Sequence, residues 1–327
     1  MPIEHKYTLL NHRFGGCRLD TANMRVLVTG GAGFIGSNVC KLLIENRIET
    51  VCMDDLSNGT ITNLGEDFNS PLFTFTKGDI RSREDCHLAM NGCTHVCHLA
   101  ARPSVTVDGN KELFKLNVEG TRNLLMAASE HEVSMFVFSS SCAVYGDSDP
   151  PLTVEHLLAP ISNYGESKMM AESLFTEYPQ LKHRILRYFN VYGPCQRSDS
   201  LYAAVIPIFT SLILSQRAPT LFGGGNQTRD FIHVRDVARA NMTALFGKGK
   251  RIQNIGSGEA ISIEKILGLI QNICAELVGD LIIEETQYEP ARDSEIIHSW
   301  CGDSSAATIS IEAGLKETIS WLREEMS

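Results

Sequence analysis

Val26-Leu27-Val28-Thr29-Gly30-Gly31-Ala32-Gly33-Phe34-Ile35-Gly36 runs a β-branched, apolar strand straight into three glycines spaced Gly30-x-x-Gly33-x-x-Gly36. Val39, Leu42 and Leu43 then continue with the spacing of an amphipathic helix. Glycines so placed permit a tight turn, a close approach of backbone to a pyrophosphate, and close packing of helix on strand. The N–H groups and positive dipole end of the new helix receive the phosphate charge. The next strand, Thr50-Val51-Cys52-Met53, ends at Asp54, 18 residues after Gly36, where a ribose-binding carboxylate belongs. A carboxylate accepts hydrogen bonds from ribose hydroxyls and repels the extra phosphate of NADP. No arginine lies in Asp55-Leu56-Ser57-Asn58-Gly59 to offset that repulsion, so the cofactor expected is NAD.

Working outward, strands expected at 25–29, 49–53, 72–76, 94–99, 134–139 and 184–188 alternate with helical patterns near 36–46, 82–90, 111–130 and 164–178. That alternation predicts an α/β fold with a doubly wound parallel sheet. After residue 190 the pattern turns irregular, with helices returning at 203–215, 234–246 and 262–276. The organisation expected is an N-terminal extension (1–23), an NAD-binding Rossmann domain (24–187 and 233–255) and a smaller, interleaved substrate lobe (188–232 and 256–327). Residues 1–23 are read either as a poorly ordered tail or as the product of an upstream start, Met24 lying directly before the first strand.

With 327 residues, 43% hydrophobic and 21% charged, the chain has the make-up of a globular enzyme. A net charge of −10 argues against nucleic acid and acidic membranes as partners, which require a basic face. No segment reaches the length of a membrane span, and the N-terminus lacks the apolar core of a signal peptide. Of ten cysteines, Cys40, Cys52, Cys97 and Cys274 lie in apolar patterns as small buried hydrophobes, which suits a reducing cytoplasm. Cys93-Thr94-His95-Val96-Cys97-His98 lacks a second ligand pair at metal-site spacing, so no metal is expected.

Tyr164-Gly165-Glu166-Ser167-Lys168 places a phenol and an ammonium one helical turn apart on one face. An ammonium favours the phenolate, and a cationic nicotinamide adds to the effect, so Tyr164 is expected to titrate low enough to act as acid and base. Ser139-Ser140-Ser141 ends a buried strand 23 residues before Tyr164, and Ser141 would hydrogen-bond the reacting sugar oxygen or the phenol.

These motifs, together with Gly78-Asp79-Ile80-Arg81, His98-Leu-Ala-Ala101, Asn117 and Leu186-Arg-Tyr-Phe-Asn-Val-Tyr-Gly193, resemble the extended short-chain dehydrogenase/reductase family, and within it the nucleotide-sugar 4-epimerases of the UDP-galactose 4-epimerase type. The resemblance runs from Met24 to the C-terminus. It implies Ser141, Tyr164 and Lys168 as the catalytic residues. Around the cofactor it implies Gly30, Gly33, Phe34, Ile35, Gly36, Asp54, Asn58, Gly59, Asp79, Ile80, Ala100, Asn117 and Tyr188, with Lys168 on the nicotinamide ribose. Toward a UDP-sugar it implies Arg102, Ser104, Asn190, Ala204, Val205, Arg229, Arg292, Glu295 and Ser299. A homodimer through the helices near 111–130 and 164–178 is also implied.

Dehydratases of this family place Asp-Glu where this chain has Cys142 and Ala143, so elimination of water is not expected. The expected reaction is C4 epimerisation through a 4-keto sugar. The resemblance implies that position 299 borders the sugar pocket, and the small Ser299 there favours UDP-N-acetylglucosamine and UDP-N-acetylgalactosamine, with UDP-glucose and UDP-galactose as a second pair. A UDP-glucuronate epimerase or decarboxylase, a 4-keto-sugar reductase and a non-catalytic NAD-sensing regulator remain alternatives. Two departures from the family pattern are Ser294, where glycine is usual, and the short run from Asp303 to Glu312, which is expected to lower stability without disturbing the site.

Overall fold

The computed structural model describes residues 23–103, 110–199, 204–279, 285–290, 298–304 and 306–326. Seven strands form one parallel sheet: β1 (Arg25–Thr29), β2 (Glu49–Asp54), β3 (Phe73–Lys77), β4 (His95–His98), β5 (Met135–Ser141), β6 (His183–Tyr188) and, far along the chain, β11 (Ile252–Ile255). Their spatial order is β11-β6-β5-β4-β1-β2-β3, so the order reverses between β1 and β4. In open α/β sheets that switch point opens a crevice at the carboxyl ends of the strands. The ends of β1, β2, β4 and β5 converge there.

Because successive strand side chains point to opposite faces, Val26 and Val28 pack with α1 (Phe34–Glu45) and α7 (Val234–Leu245), while Leu27 packs on the other side. That second face also buries Phe136, Phe138, Leu124, Ala171 and Phe175, using α2 (Arg83–Met90), α4 (Gly120–Glu130) and α5 (Asn163–Leu174). The helix expected over 111–130 is instead α3 (Asn110–Phe114), a π turn (Lys115–Glu119) and α4. The wide turn admits Asn117, whose carbonyl accepts from Thr121 Oγ1 at 2.6 Å. Gly120 follows because a Cβ there would lie 2.6 Å from the Ile80 side chain. The helix expected to reach 178 ends at Leu174 and tightens into a 3₁₀ turn over Phe175–Glu177.

The later segments build short sheets beside the crevice. β7 (Asn190–Tyr192) pairs with β10 (Phe231–His233), β8 (Thr220–Phe222) with β13 (Gln287–Glu289), and β9 (Thr228–Arg229) lies between β12 (Ile261–Ser262) and β14 (His298–Ser299). A third core of Ile206, Phe209, Ile213, Ile266, Ile270, Leu315 and Ile319 joins α6 (Val205–Leu214), α8 (Ile263–Val278) and α9 (Ile311–Glu325). The short run after Asp303 is closed by Asp236, which accepts from the N–H groups of Thr308 and Ile309, each at 3.1 Å. Cys40, Cys52, Cys97 and Cys274 are fully buried. Among the described residues, no helix is long and apolar enough to cross a membrane.

Candidate active site

At the crevice the first turn of the fold is held backbone to backbone. Gly30 has φ +69°, a conformation that favours glycine, and a Cβ on it would stand 2.8 Å from the Ala100 backbone. At Gly36 a Cβ would fall 2.0 Å from the Gly30 carbonyl oxygen. Helix α1 starts at Phe34 with no side-chain cap and no acidic residue in its first turn, leaving its N–H groups and dipole directed at the crevice.

Asp54, 7% exposed, ends β2. Its Oδ2 accepts from Ala32 N at 3.0 Å and its Oδ1 from Leu56 N at 2.8 Å. Burial raises its carboxyl above the usual range and these two bonds oppose the rise. Each oxygen keeps acceptor capacity for a hydroxyl. A cavity of about 290 Å³ joins this carboxylate to Gly30, Gly33, Phe34, Ile35, Gly36, Asn58, Gly59, Asp79, Ile80, Ala100, Tyr164, Lys168 and Tyr188. The uncapped helix end, the glycine turn that no larger residue could occupy and the buried carboxylate fit NAD.

Of the expected cofactor residues, Asn117 lies outside that lining, while Asp79 lines the cavity with its carboxylate paired to Arg81. Asn117 is buried and spends its amide on the Arg102 main chain (3.0 and 3.2 Å) and on Ser167 Oγ (2.9 Å), so it secures the loop after β4. Asp79 is gripped through both oxygens by Arg81, which holds its carboxyl below the usual range. Arg102 itself is exposed.

The catalytic candidates meet where β5 faces α5. Ser162 caps α5 by accepting from Gly165 N at 3.1 Å, which sets Tyr164 in the first turn and Lys168 in the next. Lys168, 2% exposed, donates from Nζ to the Ser139 carbonyl at 2.7 Å, and Nζ lies 5.9 Å from the Tyr164 ring centre. Ser141 Oγ accepts from Ala143 N at 3.2 Å, and Ser141 favours the phenolate form of Tyr164. The titration differs from the expectation. Burial pushes the Tyr164 phenol up to about 12, Ser141 only partly opposing it, and pushes the Lys168 ammonium down to about 7. Desolvation penalises both charged forms and is the largest cause at each.

The expected substrate residues fall on a second surface. Asn190, Ala204, Val205 and Arg229 line a cavity of about 520 Å³ together with Phe209, Leu221 and Phe231. β9 pairs in parallel with β14 so that Ser299, 6% exposed, stands beside Arg229. Ser104, Arg292 and Glu295, with Ser294, lie outside the described residues.

Three further residues hold this surface and the adjoining strand ends, and of these the role of Asp230 escaped the sequence reading. The buried Asp230 carboxylate accepts from Ser257 N (2.6 Å), Ser257 Oγ (2.7 Å), Gly258 N (2.9 Å) and Cys301 N (3.0 Å), tying the segments that carry Arg229 and Ser299. Its place beside Arg229 was the only local signal. The Cys142 thiol lies between Ser141 and Ser299, and burial pushes it up to about 11. His98 is held neutral between Thr29 Oγ1 (2.7 Å) and Thr121 Oγ1 (2.9 Å) and pins the end of β4.

Residues 26–256 match the family model described as "NAD dependent epimerase/dehydratase family". The chain is 32% identical to a UDP-glucose 4-epimerase of Corynebacterium glutamicum, across 83% of this chain and 85% of that one. Among solved structures it resembles the UDP-glucose 4-epimerase of Thermotoga maritima with UDP-glucose, at 32% identity and a TM-score of 0.85, over 93% of this chain and 100% of that one. It is equally similar to the UDP-N-acetylglucosamine 4-epimerase of Methanobrevibacter ruminantium in complex with UDP-N-acetylmuramic acid. There the identity is 32% and the TM-score 0.84, over 93% and 99% of the two chains.

Proposed function

This chain belongs to the NAD dependent epimerase/dehydratase family, and on that premise we propose that it is a UDP-sugar 4-epimerase acting chiefly on UDP-N-acetylglucosamine and UDP-N-acetylgalactosamine. The observation that supports the reading is that Tyr164 and Lys168 line the NAD cleft, Lys168 bonded to the strand end that carries Ser141, while the small, buried Ser299 pairs beside Arg229 on the neighbouring surface. A thiol in place of a carboxylate at 142 leaves no acid there for elimination. The low polarity of Ala204, Val205, Phe209 and Leu221 suits the flat face of a base, and Arg229 suits a diphosphate, which guanidinium binds through paired donors.

NAD, when bound, supplies reversible oxidation of the C4 carbinol together with a positive ring charge that favours the phenolate. Tyr164 takes the proton of the C4 hydroxyl and later returns it. Ser141 holds the same oxygen through its hydroxyl and, with Lys168, lowers the cost of charge on the phenol. Asp54 and the glycine turn hold the adenosine and pyrophosphate ends, so the cofactor is retained between turnovers. Leu157, Ile161 and Met170, exposed on and before α5, support a dimer that covers this face.

Incubating the purified protein with UDP-N-acetylglucosamine, with no added cofactor, and resolving the products by NMR tests the reading. UDP-N-acetylgalactosamine is expected. Turnover of UDP-glucose alone would reverse the preference assigned to Ser299, and inertness toward both in protein that carries NAD would end the epimerase reading.

A further inference from the structure

Behind Tyr164 and Lys168 lies a second line of buried charge that the chemistry above does not use. Glu172 stands one turn beyond Lys168 on α5 and is 8% exposed. Arg187 of β6 grips its carboxylate through Nε at 3.0 Å and Nη2 at 2.6 Å. Ser140 Oγ donates to the same carboxylate at 2.5 Å. Ser140 sits between Ser139, whose carbonyl accepts from Lys168 Nζ, and Ser141, which favours the phenolate form of Tyr164. One carboxylate is therefore tied to the middle residue of the strand end that holds both candidate partners. Arg187 also donates from Nη1 to Tyr145 Oη at 3.0 Å, and Tyr145 donates to Asn254 at 2.7 Å, which anchors the pair in the fold.

A buried ion pair is weak evidence for stability, because apolar residues of similar volume often serve as well. A role in the site accounts better for this one. Resting on the reading of Tyr164 and Lys168 as the proton-transfer pair, we propose that Glu172 is a positioning residue for it. Its carboxylate ties the Ser139–Ser141 strand end to α5 and, one turn from Lys168, favours the charged form of that ammonium against desolvation. The groups facing Lys168 are Tyr164 and Glu172 from its own helix, His98 from β4, the Phe138 ring from β5, and Arg187 from β6 behind Glu172. Burial and the Lys168 charge hold His98 neutral, and Glu172, although paired with Arg187, is the anion that opposes desolvation of the ammonium.

The test is titration of the Lys168 ammonium by nitrogen NMR in full-length protein labelled at lysine, the resonance assigned by its loss in Lys168→Met. In Glu172→Gln the midpoint is expected to fall by about one pH unit or more, and Glu172→Asp should recover most of the shift. The basic limb of the pH–rate profile should move down with it, kcat changing more than KM. A midpoint unmoved in Glu172→Gln, whatever the change in Tm, overturns the proposal. If Glu172→Gln fails to fold because Arg187 is left bare, Glu172→Gln/Arg187→Met is compared with Arg187→Met: a lower midpoint in the double variant supports the proposal and equal midpoints overturn it. Failure of the wild type to epimerise any UDP-sugar, with the midpoint still following Glu172, would strike the proposed function and not the electrostatic coupling. Turnover with an unmoved midpoint would do the reverse.

Discussion

The two walls of the cleft are built in opposite ways. On the dinucleotide side, β1, the glycine turn and α1 are contiguous, and Asp54 reaches back only 22 residues to Ala32. Contacts there are main chain against main chain, as at Gly30 against Ala100 and Gly36 against Gly30. On the proposed sugar-nucleotide side, Ser299 meets Arg229 through a two-residue pairing, and Asp230 crosses 71 residues to Cys301. Short sheets and one buried carboxylate hold that wall, and its lining consists of side chains. The cofactor wall tolerates almost no change, whereas the other can be retuned residue by residue without disturbing the fold.

Breaking the first wall should have the largest effect. Gly36→Val drives a side chain into the Gly30 carbonyl, and the variant is expected to purify without NAD, as read by the ratio of absorbance at the nucleotide and protein maxima. Where the walls meet, Tyr164→Phe should lower kcat by about 10²–10⁴-fold while NAD stays bound. Retained turnover in that variant would remove Tyr164 from the chemistry.

The comparison sharpens when the second wall is loosened by itself. Asp230→Ala frees four donors, at a cost of about 3 kcal/mol or more in stability by urea unfolding. The KM for a UDP-sugar is expected to rise about tenfold or more, with NAD content unchanged; equal loss of NAD would show that the walls are coupled. The mildest change, Ser299→Tyr, should cut kcat/KM for the acetamido sugar about tenfold or more relative to UDP-glucose, measured by competing the two substrates in one tube.

Legibility followed the same division. The glycine turn, Asp54, the serine triplet and Tyr164-x-x-x-Lys168 could be read because each is a short run whose spacing is itself the geometry. The strands were placed within a residue or two for the same reason. Arg229 and Ser299 carried meaning only through the family resemblance, since nothing local distinguishes them from surface residues. Asp230 was missed because its partners lie far along the chain. The titration of Tyr164 was misjudged because spacing reports proximity and says nothing of desolvation. Glu172, four residues after Lys168, offered its spacing as a signal, but its meaning depends on Arg187 and Ser140 arriving from two strands.

The sequence by itself determined the parallel α/β architecture, the NAD turn and the pairing of Tyr164 with Lys168 on one helix face, the proposed proton-transfer pair. These depend on local sterics, periodicity and one helical turn of separation. The tertiary structure alone decided how deeply that pair is buried, which carboxylate stands behind it and what wall faces the sugar. Burial, dielectric and long-range pairing arise only when segments dozens of residues apart are packed together.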